Sequence, residues 1–113
     1  MSNHIKIHKE TGKWVVRTGG AVIAETSNAF ELIEGEKTPV IYFPRADIAM
    51  AFLDQTEQFS HCPHKGDARY FSIHTKSVVL ENSAWSYEDP SPAAARIKNH
   101  LAFDPAQVAI EEL

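Results

Sequence analysis

Short runs in which polar and apolar residues alternate occupy the first third of the chain. Residues 4–9 (HIKIHK) alternate strictly, as the residues of a half-buried strand do. Thr11-Gly12 and Gly19-Gly20 are turn signals, and the second pair predicts a hairpin. Further β-type runs lie at residues 13–17, 21–26, 30–34 and 39–43. Short strands with such close turns predict an antiparallel meander.

Two segments with a helical pattern interrupt the strands. Residues 44–53 (PRADIAMAFL) place Ile48, Ala51 and Phe52 at the i, i+3 and i+4 positions of a helix. Residues 92–98 begin with a proline that follows a good N-cap serine. Strands are predicted between and after these segments, at residues 68–74, 77–81, 84–87 and 108–110. Because the elements lack the spacing of βαβ units, the pattern predicts a mainly β fold: two packed antiparallel sheets with two short helices.

Length, cysteine content and charge narrow the class of protein. A chain of 113 residues has the length of one domain, so residues 1–113 are expected to share one fold. Cys62 is the only cysteine, which rules out an internal disulfide and suits a reducing compartment. The N-terminus lacks a signal-peptide pattern, and no apolar run approaches the roughly 20 residues that cross a bilayer. We therefore expect a cytoplasmic protein without membrane contact.

The net charge of −4 argues against a nucleic-acid partner, because such proteins present a basic face. It does not argue against a small-molecule ligand, since a few local charges decide what a pocket binds. The sequence leaves the oligomeric state open.

Polar and aromatic residues concentrate in three segments, at residues 42–47, 61–70 and 84–90. Trp85 and Tyr87 are two residues apart, so they share a face of a strand and can form the wall of a pocket. Arg45 and Lys65 can supply positive charge. The candidate ligand-binding residues are Tyr42, Arg45, Asp47, His61, Cys62, Lys65, Tyr70, Trp85 and Tyr87.

Each candidate also has an ordinary structural interpretation. Residues 61–70 are consistent with a polar turn between strands, with charges that face solvent. Arg45 and Lys65 are consistent with surface ion pairs, for example with Asp47 or Asp89. Trp85 is consistent with core packing of a sheet.

The second segment contains side chains that bind metals. A structural zinc site needs four protein ligands, and a catalytic one needs three with water. His61, Cys62 and His64 are available, but two of them are adjacent, and Pro63 restricts the residue before it to extended backbone. We therefore expect neither a metal nor another cofactor. Cys62 remains open between a buried small apolar residue and a nucleophile that nearby imidazoles activate.

Four spaced motifs carry a family resemblance: YFPRAD, HCPHKGDARYFSI, AWSYEDP and the closing AFDP. Together they resemble the bacterial family of unknown function DUF427, from residue 19 to the C-terminus. The resemblance implies a β-tent-like fold of two packed antiparallel sheets. It also implies a role for Lys65 or Gly66 more than for His64, where the family usually has an apolar or aromatic residue.

Some classifications label that family a predicted nucleotidyltransferase. Such enzymes usually hold a divalent metal around a triphosphate with paired carboxylates on one strand. The chain has no Asp-x-Asp or Asp-x-Glu pair on a predicted strand, and Asp47 and Asp67 are far apart in sequence. Nucleotidyl transfer is therefore not the expected activity.

Two functions remain. The preferred one is a module that binds a small polar or planar ligand between aromatic walls and cationic groups. The alternative is an enzyme for a small substrate, with His61 as general acid or base and Lys65 as base or electrostatic stabiliser. The enzyme requires a hydrogen-bonded pair, such as His61 with Asp67 or Asp89, and the sequence does not decide whether the protein is an enzyme.

Overall fold

The computed structural model describes residues 4–113, which form ten strands, two short 3₁₀ turns and one 3₁₀ helix. The strands are β1 (Ile5–Lys9), β2 (Trp14–Thr18), β3 (Ala21–Thr26), β4 (Phe30–Glu34), β5 (Val40–Pro44), β6 (Leu53–Cys62), β7 (Gly66–His74), β8 (Val79–Tyr87), β9 (His100–Phe103) and β10 (Ala109–Glu112). The 3₁₀ turns are Arg45–Asp47 and Met50–Phe52, and the 3₁₀ helix is Pro92–Ile97.

The strands form two antiparallel sheets. The larger sheet has seven strands in the order β1-β4-β5-β9-β8-β7-β6, and the smaller has three in the order β10-β2-β3. The mainly β fold with two antiparallel sheets is therefore confirmed. The predicted hairpin between β2 and β3 is also present, and both Gly19 and Gly20 have positive φ angles there.

The main core lies between the two sheets. Val16 and Ile23 of the small sheet pack in one buried cluster with Phe43, Leu101 and Phe103 of the large sheet. The rings of Phe43 and Phe103 meet edge to face, with centroids 5.7 Å apart. We call this side of the large sheet its inner face.

The opposite side, the outer face, carries a second buried cluster. Successive residues of a strand point to opposite sides, so Tyr42 and Ala102 lie on the outer face beside inner-face neighbours. The 3₁₀ helix Pro92–Ile97 covers part of this face by burying Ala94 and Ile97. The outer face is therefore partly roofed, and its aromatic residues lie in a recess.

The helix predicted at 44–53 is corrected to two 3₁₀ turns. Between Arg45–Asp47 and Met50–Phe52 the backbone is extended at Ile48, which forms a bridge with Ala24 of β3. The amide of Ala49 donates to the carbonyl of Ile23 at 2.8 Å. Pairing with β3 thus replaces the helical hydrogen bonds that the apolar spacing suggested.

The short helix predicted at 92–98 is present as a 3₁₀ helix, Pro92–Ile97, which starts with Pro92 as predicted and has a kink at Ala94. Asn99 follows its end with a positive φ of 60°.

Three strand assignments also change. The polar turn between strands within residues 61–70 is present but shorter than expected, because β6 continues to Cys62 and β7 begins at Gly66. The strands predicted at 77–81 and 84–87 are one strand, β8. The strand predicted at 108–110 is β10, residues 109–112, which joins the small sheet beside β2. In the described part of the chain, no helix is long and apolar enough to cross a membrane.

Candidate functional site

The outer face contains a pocket of about 300 Å³ among β5, β7, β8 and the turn between β6 and β7. Strand alternation builds its wall. On β8, Trp85 and Tyr87 point outward while Ser86 between them is buried on the inner side. The residues that line the pocket are Val40, Tyr42, Lys65, Tyr70, Asn82, Trp85, Tyr87 and Asp104.

Four aromatic side chains dominate this wall. Tyr70 and Trp85 are opposite each other on β7 and β8, with ring centroids 6.3 Å apart and planes inclined by 44°. The indole Nε1 of Trp85 donates to the hydroxyl of Tyr42 at 3.3 Å. The hydroxyl of Tyr70 is 3.0 Å from the Ser60 hydroxyl. Because these bonds join the rings to one another and to β6, the wall is held in one arrangement.

Two of the phenols are kept in the protonated form. Burial raises the pKa of Tyr42 and of Tyr87 well above the ordinary value near 10. Since the Tyr42 hydroxyl accepts from Trp85, its own proton remains available for donation to a ligand. The wall therefore presents neutral hydroxyl groups as well as aromatic faces.

A buried ion pair lies at one side of the pocket. The ammonium group of Lys65 donates to a carboxylate oxygen of Glu34, and both side chains are nearly buried, at 12% and 4% exposure. That hydrogen bond lowers the pKa of the Glu34 carboxyl, while burial acts in the opposite direction. The Lys65 ammonium is also 5.9 Å from the centroid of the Tyr87 ring. The charge of Lys65 is thus compensated within the protein.

Asn82 and Asp104 add polar groups to the pocket. Asn82 has a positive φ of 52°, and its side-chain oxygen accepts from the Thr56 hydroxyl at 2.7 Å. That bond leaves the amide hydrogens of Asn82 free to donate. The Asp104 carboxylate accepts from the Ala106 amide at 2.9 Å and from the Gln107 side chain at 3.0 Å. It brings a negative charge, and within residues 4–113 no cationic side chain forms an ion pair with it.

The structure brings together five of the nine residues that the sequence singled out. Tyr42, Lys65, Tyr70, Trp85 and Tyr87 all line this pocket. Cys62 is half-buried and packs against the same outer-face cluster, although it does not line the pocket. The shared face of Trp85 and Tyr87 agrees with the prediction from their spacing.

Arg45 and Asp47 lie elsewhere. Arg45 reaches the inner side of β8, where it donates to Ser86 at 3.3 Å and pairs with Glu88 at 3.2 Å. Asp47 accepts from the hydroxyl of Thr26 at 2.7 Å, beside the small sheet. Neither residue contributes to the aromatic pocket, because both follow the end of β5 in a 3₁₀ turn and their partners do not line the pocket.

His61 also lies away from the pocket. Its Nδ1 is 2.7 Å from an Asp67 oxygen, and both side chains are about two-thirds exposed, at 66% and 65%. Asp67 faces a separate notch with Arg69, Glu88 and Asp89. The histidine–carboxylate pair that an enzyme would need is therefore present, but Lys65 is not beside it.

The sequence missed Glu34, Asn82 and Asp104. Glu34 continues the alternation of Leu32 on β4, so a carboxylate at an inward position was a detectable signal. Asn82 interrupts a β-type run, which is typical of a strand irregularity. Asp104 belongs to the closing AFDP motif, and only the resemblance drew attention to it.

Within residues 4–113, no three histidine, cysteine, aspartate or glutamate side chains converge in a way that could hold a metal ion. His61 and Asp67 pair with each other, while Asp47 bonds to Thr26. The two aspartates considered for nucleotidyl transfer are thus parts of separate contacts.

The fold and pocket define a small mainly β protein with an aromatic recess on one sheet face. A family model described as domain of unknown function (DUF427) matches residues 6–112, and the chain belongs to that family. No curated protein matches the chain.

Proposed function

We propose that the outer-face pocket binds a small planar molecule with hydrogen-bonding groups, which is either neutral or positively charged. The observation that carries this proposal is the pocket itself, which is lined by four aromatic side chains and by a lysine already paired with Glu34. A volume of about 300 Å³ is at the lower end of small-molecule sites. Aromatic faces stack on planar groups, and hydroxyl and amide groups orient their polar edges.

The charges of the pocket determine which ligands it favours. Lys65 and Glu34 compensate each other, and Asp104 adds a negative charge on the wall. A bound anion would approach Asp104 without an unpaired lysine to stabilise it, whereas a cation gains from the aromatic faces. This electrostatic balance supports a neutral or cationic ligand and gives no support to a triphosphate or to nucleotidyl transfer.

The enzyme that combines His61 and Lys65 has less support. His61 and Asp67 are largely exposed on the hairpin, while Lys65 is nearly buried at the pocket. A general acid or base must reach the substrate within hydrogen-bonding distance. Because their contacts place the two groups on different sides of the large sheet, we favour binding without a reaction that uses both.

A set of three isosteric probes tests this proposal. Benzamide, benzamidinium and benzoate share a planar shape and differ in charge. We expect benzamide and benzamidinium to bind with dissociation constants on the order of millimolar and benzoate to bind at least about tenfold more weakly. Titrations followed by ¹H–¹⁵N NMR should shift the indole Nε1 resonance of Trp85, because that group lies on the pocket wall.

Two variants serve as a matched pair in this titration. Trp85→Leu removes a wall of the pocket and should abolish binding, whereas Phe59→Leu changes an aromatic side chain that is 58% exposed and should leave it unchanged. Failure of all three probes to shift pocket resonances, together with no retained ligand in native mass spectrometry of the purified protein, would contradict the proposal. Preferential binding of benzoate would contradict its electrostatic part.

A further inference from the structure

A second cavity, of about 380 Å³, lies at the end of the space between the two sheets. Its wall is largely apolar and includes Trp14 and Ile110 of the small sheet with Ile41 and Phe103 of the large one. Glu31 is the charged residue in this lining. The cavity thus suits an apolar group and disfavours an anionic one.

The second cavity adjoins the aromatic pocket. Val40 and Trp85 line both spaces. Within residues 4–113, the register of β5 with β9 covers only two pairs, Phe43 with Leu101 and Pro44 with His100. Toward Val40 the two strands are no longer paired, which opens the large sheet beside Trp85. The two spaces are therefore neighbours that share part of their walls.

Trp14 lines the cavity with its ring, while its polar atom is covered by protein. The indole Nε1 of Trp14 is buried and has no hydrogen-bond partner among the described residues. Because that nitrogen is enclosed by protein, Trp14 contributes apolar ring surface to the cavity and no accessible donor. The lining of this cavity gives the Trp14 ring apolar surroundings.

We propose that the second cavity holds the apolar tail of the ligand whose planar head lies in the aromatic pocket. The ligand class is then a small amphiphile: a planar, neutral or cationic head and an uncharged aliphatic or aryl tail. This inference rests on the proposed function, because the head group is what binds beside Tyr42, Tyr70 and Trp85.

Alkyl and alkoxy derivatives of benzamide test the tail. In a 4-alkylbenzamide series from methyl to hexyl, affinity should rise about threefold to fourfold per added methylene until the cavity is filled. The tail should also shift the indole resonance of Trp14 in the wild-type protein. An alkoxy tail should bind no more tightly than an alkyl tail of equal length, because the cavity wall is largely apolar.

Matched tryptophan substitutions separate filling of the cavity from a general effect of a larger side chain. Ile110→Trp should fill the cavity and remove the gain with tail length while benzamide itself binds as before. Val22→Trp places the same side chain at a position of the small sheet that is 43% exposed and should change nothing.

The outcomes separate this inference from the proposed function. If benzamide binds but its affinity does not rise with tail length, and the Trp14 resonance does not move, the proposed amphiphilic ligand is wrong. The proposal that the aromatic pocket binds a planar molecule is then retained. If benzamide does not bind, both the amphiphilic ligand and the proposed function are wrong. Should Ile110→Trp fail to fold, the wild-type Trp14 shift decides alone.

Discussion

The buried ion pair of Lys65 and Glu34 carries a desolvation cost that other interactions must offset. Moving two charges out of water is expensive, and their mutual attraction repays it only with good geometry and further hydrogen bonds. Lys37, which is exposed, lies 3.7 Å from the other Glu34 oxygen and adds a weaker contact. Such a pair is weak evidence for stability, but removal of one partner leaves a buried charge without compensation. It fixes the Lys65 side chain beside Tyr87, where it shapes the pocket.

Loss of the Glu34 charge should therefore destabilise the protein, and the effect should depend on pH. The folded-state pKa of Glu34 lies below the unfolded value near 4.5, so its ionised form stabilises the fold above that pH and this contribution is lost as pH falls through the folded pKa. At neutral pH, Glu34→Gln should lower the free energy of unfolding by about 3 kcal/mol. Lys37→Ala should cost less than about 1 kcal/mol.

Urea denaturation at a series of pH values measures both effects. Between pH 6 and pH 3 the wild-type free energy of unfolding should fall more steeply than that of Glu34→Gln, because the variant has no carboxyl to protonate at this position. Parallel pH profiles of the two proteins would contradict the role assigned to this pair.

The sequence predicted only some of the residues that line the pocket. Trp85 and Tyr87 were predictable as a pair because a period of two places them on one face. The sequence did not predict that Arg45 lies outside the pocket or that Glu34 pairs with Lys65 beside it. Both depend on contacts between strands that are distant in the chain. Residue types identified the candidate binding residues, and contacts between distant strands determined which of them lie at the pocket.

Among the elements, the hairpin of β6 and β7 has the greatest effect on the pocket, because its turn carries Lys65. Gly66 at the start of β7 has a φ of +110°, where a side chain is strained. A Cβ atom there would lie 3.3 Å from the carbonyl oxygen of Asp89. The backbone of this region is further tied by the Ser91 amide, which donates to the Lys65 carbonyl at 3.0 Å.

Gly66→Ala should therefore reduce both stability and binding. We expect a loss of more than about 1 kcal/mol, with weaker binding of benzamide as Lys65 shifts. Gly20→Ala is the matched control, because Gly20 also has a positive φ but nothing lies within 4 Å of its Cβ position, and its turn is far from the pocket in the small sheet. It should lower the melting temperature without changing the titration. Equal effects of both variants on binding would contradict this assignment.

The elements also show where periodicity misleads. Residues 44–53 have helical spacing, yet the backbone around Ile48 pairs with β3, and this tertiary pairing overrides the local preference. The strands and the β2–β3 hairpin were predictable from alternation and glycine pairs. The order of strands in the large sheet was not, because β9 inserts between β5 and β8 from a distant part of the sequence.

In the molecule as a whole, the two faces of the large sheet have different roles. Its inner face packs on the small sheet and supplies most of the core, while its outer face carries the aromatic pocket. Adjacent residues of β5 belong to different faces, since Phe43 is in the main core and Tyr42 lines the pocket. Stability and binding should therefore respond separately to changes at neighbouring positions.

Substitutions at these two neighbours test the division. Phe43→Leu leaves unfilled space in the main core and should lower the free energy of unfolding by about 1–2 kcal/mol, which is about 4–16 °C in melting temperature for a domain near this size. Benzamide should still bind to its folded form as in the wild type. Tyr42→Phe keeps the ring but removes the hydroxyl that accepts from Trp85, so binding should weaken severalfold with a smaller loss of stability. Thermal melts and NMR titrations at low temperature measure both quantities on the same samples. If Phe43→Leu weakened binding as much as Tyr42→Phe does, the two faces would be coupled, and the sheet could not be described as a rigid support for the pocket.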